Sequence, residues 1–230
     1  MIGIIGAMEE EVSVLKDIME DKEISEHAGM TFNKGKLCGK EVIVVKSGVG
    51  KVNAGICTQI LIDKFGVTML VNTGVAGALD YKIEIGDVVI STDSVQHDVN
   101  AVAFGYEVGQ IPRMDTLFFK ADEKLANWAK AVNEAVNPEV KTYIGRIATG
   151  DQFIADAKTK KRIIDDFSPL CVEMEGAAIA QVAYMNKVPY IISRAISDKA
   201  DDSAQVDYPE FEAKAIERSV RLIQELMSSL

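Results

Sequence analysis

A chain of 230 residues that is 48% hydrophobic can bury a sizeable core within one domain. Its formal net charge of −10 and isoelectric point near 4.8 argue against a nucleic-acid partner, because phosphate binding needs a basic face. No apolar run approaches the roughly 18 residues of a membrane span, and no basic region precedes the first apolar run. Cys38, Cys57 and Cys171 share no short spacing, which indicates neither a disulfide framework nor a zinc knuckle. The expectation is a cytoplasmic protein of one domain, residues 1–230, with reduced thiols and no membrane partner.

The first predicted strand is GIIG at 3–6, followed at once by AMEEE. Glu9, Glu10 and Glu11 read as the opening of a helix, where acids complement the positive end of the dipole, or as a cluster of which one member faces a site. EVIVVKSG at 41–48 is the next strand, and apolar residues at helical spacing follow from Gly50 to Phe65. The stretch KSGVGKVN resembles the end of a phosphate-binding loop. It fails that pattern, because Val45 stands where the first glycine is required and Val52 where a hydroxyl binds magnesium. GIIG likewise lacks the G-x-G-x-x-G of a dinucleotide fold.

Strands follow at TMLVNTG (68–74) and DVVISTDSV (87–95). NTGVAGA at 72–78 carries two glycines and no charge, so it suits either a tight turn or close approach to a neutral ligand. His97 to Thr116 is the least regular stretch and reads as a cover for a site or a subunit contact. His97 beside Asp98 is too few ligands for a metal, and no cofactor is expected. A helix over Lys120–Val136, a strand TYIGRIATG (142–150), a strand-to-helix passage CVEMEGAAIAQV (171–182) leading into a helix over Gly176–Asn186, a strand PYIISRAIS (189–197) and a helix over Tyr208–Leu230 complete the chain. Near-continuous apolar strands alternating with amphipathic helices indicate an α/β protein with its sheet covered on both faces.

Carboxylates mark three of the strand ends. Glu173 and Glu175 interrupt an apolar run, and alternation puts them on one face of the strand end, where buried carboxylates need donors such as sugar hydroxyls. Arg194, Ser197 and Asp198 end the strand after it, where ligand sites of such sheets gather. Asp198 alone is as well explained as a turn cap. Glu11, Glu175 and Asp198 together, at separate strand ends, point to a site.

GIIGAMEEE, SGVGKVNA, NTGVAGA, AFGYEVGQIP, TGDQFI, VEMEGAAIA and RAISD, in this order, resemble the bacterial 5′-methylthioadenosine/S-adenosylhomocysteine nucleosidases of the nucleoside phosphorylase superfamily. The resemblance covers essentially the whole chain. It implies a single-domain three-layer α/β/α sandwich around a mixed, twisted sheet, assembled as a homodimer, that cleaves adenine from a 5′-thio-substituted ribose.

The resemblance implies Asp198 as the acid that protonates the purine at N7, Glu11 as the base that activates water, and Glu175 as the partner of the ribose hydroxyls. It implies Ser197 as orienting Asp198, and Arg194 with Glu173 as shaping the water and ribose site. By the same resemblance Phe153 and Ile154 are expected to form the adenine wall, Met174 to contact the ribose through its backbone, and Gly77 to allow close approach beneath the nucleoside. The resemblance also implies that Met8, Val49 and Tyr208 line the 5′-thio pocket, with Phe104 and Pro112 expected to reach in from the partner. Val75 and Ala101 depart from residues seen in some relatives, which touches the water network and the pocket's shape.

An oxocarbenium-like transition state explains the need for one acid and one base. A carboxylate-rich first strand also disfavours a phosphate nucleophile, which favours hydrolysis over phosphorolysis. The competing expectations are a phosphorylase or futalosine-type hydrolase of the same fold, and a nucleoside-binding protein without catalysis, which would have lost Glu11 or Asp198.

Overall fold

The structure, a computed structural model, describes residues 1–230 except for the side chain of Gln205. In chain order the elements are β1 (Ile2–Gly6), α1 (Glu9–Asp17), β2 (Glu20–His27), β3 (Met30–Leu37), β4 (Lys40–Lys46), α2 (Lys51–Phe65), β5 (Met69–Ala78) and β6 (Val88–Gln96). They continue with β7 (Phe119–Lys120), α3 (Glu123–Val136), β8 (Thr142–Thr149), α4 (Ala157–Phe167), β9 (Cys171–Glu173), α5 (Gly176–Asn186), β10 (Tyr190–Asp198) and α6 (Ala204–Ser228).

The strands form one mixed sheet in the order β10-β6-β8-β9-β5-β1-β4-β3-β2, with β7 beside β6. Strand twist is strong enough to bring β10 against β5 as well, in parallel from Tyr190 opposite Leu70 to Asp198 opposite Gly77. The strands β10, β6, β8, β9 and β5 therefore pair in a ring. On its other edge β5 forks, pairing β1 through Met69–Asn72 and β9 through Gly77 and Ala78. The backbone between Asn72 and Gly77 has no strand partner on that edge among the described residues, and this gap is where the sheet opens.

Alternation along the central strands fills both faces. Ile4, Val42 and Val44 pack with Val12 and Leu15 of α1, Ala126 and Ala129 of α3, and Leu222 and Leu226 of α6. Ile5, Ile43 and Val45 pack with Cys57 and Leu61 of α2 and with Ile179 and Ala183 of α5. The result is the α/β/α layering expected from the near-continuous apolar strands. A third cluster joins Ile163 and Phe167 of α4 to Val95, Ala148 and Val172.

Two helix starts differ from their sequence reading. α3 begins at Glu123 rather than Lys120, because Lys120 pairs with Asp93 as strand and the Asp122 carboxylate caps the helix by accepting from Leu125 N–H at 2.9 Å. α6 begins at Ala204, four residues ahead of Tyr208, with Pro209 inside the helix. Of the apolar residues in the irregular stretch, Ile111 and Met114 fold back onto the α2–α5 core, while Phe104 stays 84% exposed. Among the described residues no helix is long and apolar enough to cross a membrane.

Candidate active site

The C-terminal ends of β1, β5 and β10 and the β9–α5 junction enclose a cavity of about 280 Å³. Glu11, Glu173, Glu175 and Asp198 line it, so the four acids separated in sequence meet.

Glu11 stands in the first turn of α1, but its carboxylate turns back toward the helix start. Oε2 accepts the N–H groups of Ala7 (2.6 Å) and Met8 (3.0 Å), and Oε1 accepts Val75 N–H (3.2 Å) from the gap in β5. Burial pushes its carboxyl above the usual value, against the pull of the Arg194 guanidinium and the three amides. Glu9 and Glu10 are exposed, as helix-start acids should be.

Arg194 is fully buried and does not line the cavity. Its Nη2 binds the Glu173 carboxylate and Asn72 Oδ1 (2.5 Å), and Nη1 donates to Ser193 O (3.2 Å). Glu173 also accepts from Thr149 Oγ1, Glu175 N–H (3.1 Å) and Gly176 N–H (2.7 Å). The expectation that a sugar would supply the donors for Glu173 is therefore corrected, because protein groups saturate it. Strand alternation does not extend to Glu175 either, since β9 stops at Glu173 and Glu175 is the N-cap of α5. Glu175 Oε1 accepts Gly50 N–H at 2.8 Å, and burial and the charge of Glu173 push its carboxyl up to about 8.

Asp198 accepts from Ser197 Oγ (2.9 Å) and Ala200 N–H (2.8 Å), and burial raises its carboxyl as well. Gly77 lies beneath it: a Cβ there would sit 2.7 Å from Asp198 Oδ1 and 2.8 Å from Ala200 Cβ. The cavity's apolar side is formed by Met8, Val49, Phe153, Ile154 and Tyr208, with Met174 between the acids. The Phe153 and Tyr208 rings meet edge to face at 5.9 Å, and Tyr208 Oη reaches Met8 Sδ at 3.4 Å.

Phe104 and Pro112 are exposed and do not line the cavity of their own subunit. Val75 lines it, whereas Ala101 is buried outside. Sequence reasoning missed Ala7, Ala76, Gln152 and Val172 in the lining, Thr149 and Gly50 as partners of the acids, and Asn72 as a partner of Arg194. Gly50, Asn72, Thr149 and Gln152 stand within the singled-out stretches SGVGKVNA, NTGVAGA and TGDQFI, but nothing in those stretches showed which group each would hold.

A family model described as the phosphorylase superfamily matches residues 1–228. A 5′-methylthioadenosine/S-adenosylhomocysteine nucleosidase of Staphylococcus haemolyticus is 45% identical over 231 residues, covering all of both chains. The chain belongs to the 5′-methylthioadenosine/S-adenosylhomocysteine nucleosidase family of the phosphorylase superfamily. A nucleosidase of this family from Neisseria meningitidis, solved with methylthio-immucillin-A, superposes with a TM-score of 0.95 at 36% identity over 100% of this chain and 99% of the other. A mutant futalosine hydrolase of Helicobacter pylori superposes with a TM-score of 0.94 at 35% identity, covering 100% and 99%. The fold expected for a nucleosidase of this superfamily is thus the fold observed.

The tight contact at Gly77 gives a test of the nucleosidase site. Gly77→Ala should displace Asp198, and with Asp198 in the role of a reacting group kcat should fall about a hundredfold, the cost of misplacing such a group by about 1 Å. Steady-state kinetics alongside a thermal melt measure it, and turnover within threefold of wild type would show that the Asp198 carboxylate tolerates the displacement.

Proposed function

We propose that this protein hydrolyses the N-glycosidic bond of 5′-methylthioadenosine and S-adenosylhomocysteine, and also of 5′-deoxyadenosine, to adenine and the 5′-substituted ribose. The observation that carries this reading is that Glu11 and Asp198 reach one cavity from separate strand ends, in a lining that holds no Lys or Arg among the described residues. A phosphate nucleophile would meet carboxylates there without a cationic cradle. Two unit charges 4 Å apart repel by about 4 kcal/mol at an effective dielectric of 20. Water meets no such barrier and needs a base.

In this reading Asp198, held by Ser197, gives its proton to N7 of the departing purine, and Glu11 takes the proton of the attacking water. Phe153 stacks on the adenine and the Ile154 backbone reads its edge, while Gly77 lets the nucleoside lie close to β5. Glu175 binds the ribose hydroxyls beside Met174, and Arg194 with Glu173 hold that corner in shape. Met8, Val49 and Tyr208 receive the 5′-thio group. The chain works as one nucleosidase domain in the cytoplasm, in methionine salvage and S-adenosylmethionine recycling, and as a homodimer in which Phe104 and Pro112 complete the neighbour's pocket.

Asp198→Asn and Glu11→Gln should each lower kcat by about 10² to 10⁴-fold with little loss of stability. The pH dependence follows from the burial that raises both carboxyls. A base must be ionised, so the rate falls as pH drops through the raised Glu11 value. An acid must be protonated, so it falls again as pH rises through the raised Asp198 value. Glu175, pushed up to about 8, must be ionised as well, so an acid limb persists in Glu11→Gln and the test of Glu11 is its rate: turnover within a few-fold of wild type would remove Glu11 from the mechanism.

Product analysis with and without phosphate tests the reaction class: free sugar is expected at equal rates, and a sugar 1-phosphate would establish a phosphorylase. Running inosine and futalosine beside the adenine nucleosides tests the substrate class, with adenine nucleosides expected to turn over faster. For assembly, Phe104→Glu should lose dimer mass in solution and 5′-thio substrate affinity together, whereas a fully active monomer at high dilution would show a site complete within one chain.

A further inference from the structure

Two motifs left without a role by this function meet in space. One is the failed phosphate loop, whose Lys51 opens α2, and the other is the His97-Asp98 pair that follows β6. Asp98 Oδ1 takes Lys51 Nζ at 2.7 Å, and its Oδ2 takes Asp151 N–H at 3.0 Å. Asp151 Oδ1 in turn accepts Lys51 N–H at 2.8 Å, which closes a ring through Asp98, Asp151 and Lys51. Gln96 Oε1 adds a second acceptor for Lys51 Nζ at 3.1 Å.

The ring lies where two weakly held parts of the site adjoin. α2 has no side chain to cap it, because its N-cap is Gly50 with φ +96°, a conformation that favours glycine. Its first free amides are capped from elsewhere: Gly50 N–H by Glu175 and Lys51 N–H by Asp151. The segment after β8 that carries Phe153 and Ile154 has no strand partner beyond Thr149, and its backbone is tied by Gly150 N–H to Glu173 O (3.1 Å) and by Asp151 N–H to Asp98. The His97 imidazole fills the space that a side chain at Gly150 would need. An ordinary surface ion pair contributes little, but here both side chains are more than 80% buried and the second carboxylate oxygen holds a main-chain donor.

We propose that Asp98 is a positioning residue for the reaction: through Lys51 and Asp151 it locks the Phe153–Ile154 wall to the start of α2 and so fixes the Gly50 amide that orients Glu175. The proposal rests on the reading of Glu175 as the partner of the ribose hydroxyls.

Asp98→Ala and Lys51→Ala are compared with wild type on 5′-methylthioadenosine and on its 2′-deoxy and 3′-deoxy analogues, taking the wild-type-to-variant ratio for each substrate so that intrinsic lability cancels. On the parent substrate Asp98→Ala should lower kcat/KM about ten- to a hundredfold, the size expected for a displaced binding group. On the analogue lacking the hydroxyl that Glu175 holds, the loss should shrink to a few-fold. The double variant should be no worse than Asp98→Ala, because both changes open the same ring. Equal losses on all three substrates, or additive losses in the double variant, overturn the proposal. If Asp98→Ala melts below the assay temperature, Lys51→Ala carries the same comparison, since it leaves Asp98 on the Asp151 amide. Should Glu175→Gln itself lose no more on the parent than on the analogues, the reading of Glu175 fails. The clasp is then judged on the parent substrate alone, where less-than-additive losses in Asp98→Ala with Glu175→Gln support it and additive losses reject it.

Discussion

The buried pair of Arg194 and Glu173 is the constraint to which the rest of the site is fitted. Two charges removed from water cost several kcal/mol each, which their attraction offsets only if the remaining donors and acceptors are satisfied. Glu173 meets that condition with Thr149 from β8 and with two amides at the start of α5. Arg194 meets it in part, with Asn72 from β5 and Ser193 O, its buried Nε having no partner among the described residues, and Asn72 in turn donates to Ile5 O of β1 at 2.9 Å. One ion pair thereby sets the relative position of β1, β5, β8, β9, β10 and α5. The ring of strands and the fork in β5 supply the frame, since only at that fork do these strand ends come near enough to share one charge pair.

A second condition explains how so many acids are tolerated together. Three helices begin at the cavity. Glu11 folds back on the amides of Met8, the N-cap of α1, and of Ala7 before it, Glu175 is the N-cap of α5, and the Gly50 amide at the head of α2 donates to Glu175. Unpaired amides and the positive end of the helix dipole favour negative charge at each start. Carboxylates after a buried strand are therefore complementary to helix starts, and this answers why AMEEE follows MIGIIG. The triplet divides by exposure: Glu9 and Glu10 face solvent beside the dipole, and Glu11 enters the cavity.

The legible parts of the fold were those whose burial leaves a pattern. The central strands announce themselves by Val and Ile runs because both faces are covered, and α2 and α5 by apolar-rich segments of 15 and 11 residues, too long for a strand. The β2–β3 hairpin was not foreseen, since β2 is EDKEISEH, mostly exposed at the sheet's edge, where charge discourages edge-to-edge pairing instead of forming a core. α4 escaped because only Ile163 and Phe167 of its eleven residues are buried. In the site, Glu11, Glu175 and Asp198 were readable only together, as acids at three separate strand ends. Thr149, Asn72 and the Gly50 amide were not, because a hydroxyl, a carboxamide or a main-chain amide at a strand end looks ordinary until the partner from a distant strand is known. The same limit hid the saturation of Glu173, whose spacing from Glu175 suggested equal roles.

Environment separates those roles. Among the described residues Glu173 accepts from four groups, Glu11 from three amides, Asp198 from two donors and Glu175 from the Gly50 amide alone. A carboxylate already saturated gains little from a ligand, so Glu173 belongs to the scaffold. Glu175 keeps Oε2 for the cavity, 4.0 Å from Arg194 Nη2, and its ionised form is made costly by burial and by the charge of Glu173. With Glu175 as the proposed partner of the ribose, positive charge growing on that ring would reverse the cost, and the interaction would strengthen as the glycosidic bond breaks. An attraction that is weak toward a neutral nucleoside and strong toward an oxocarbenium-like ring lowers the barrier without deepening the ground state. The acid with the fewest protein partners is therefore the one best suited to respond to the reaction.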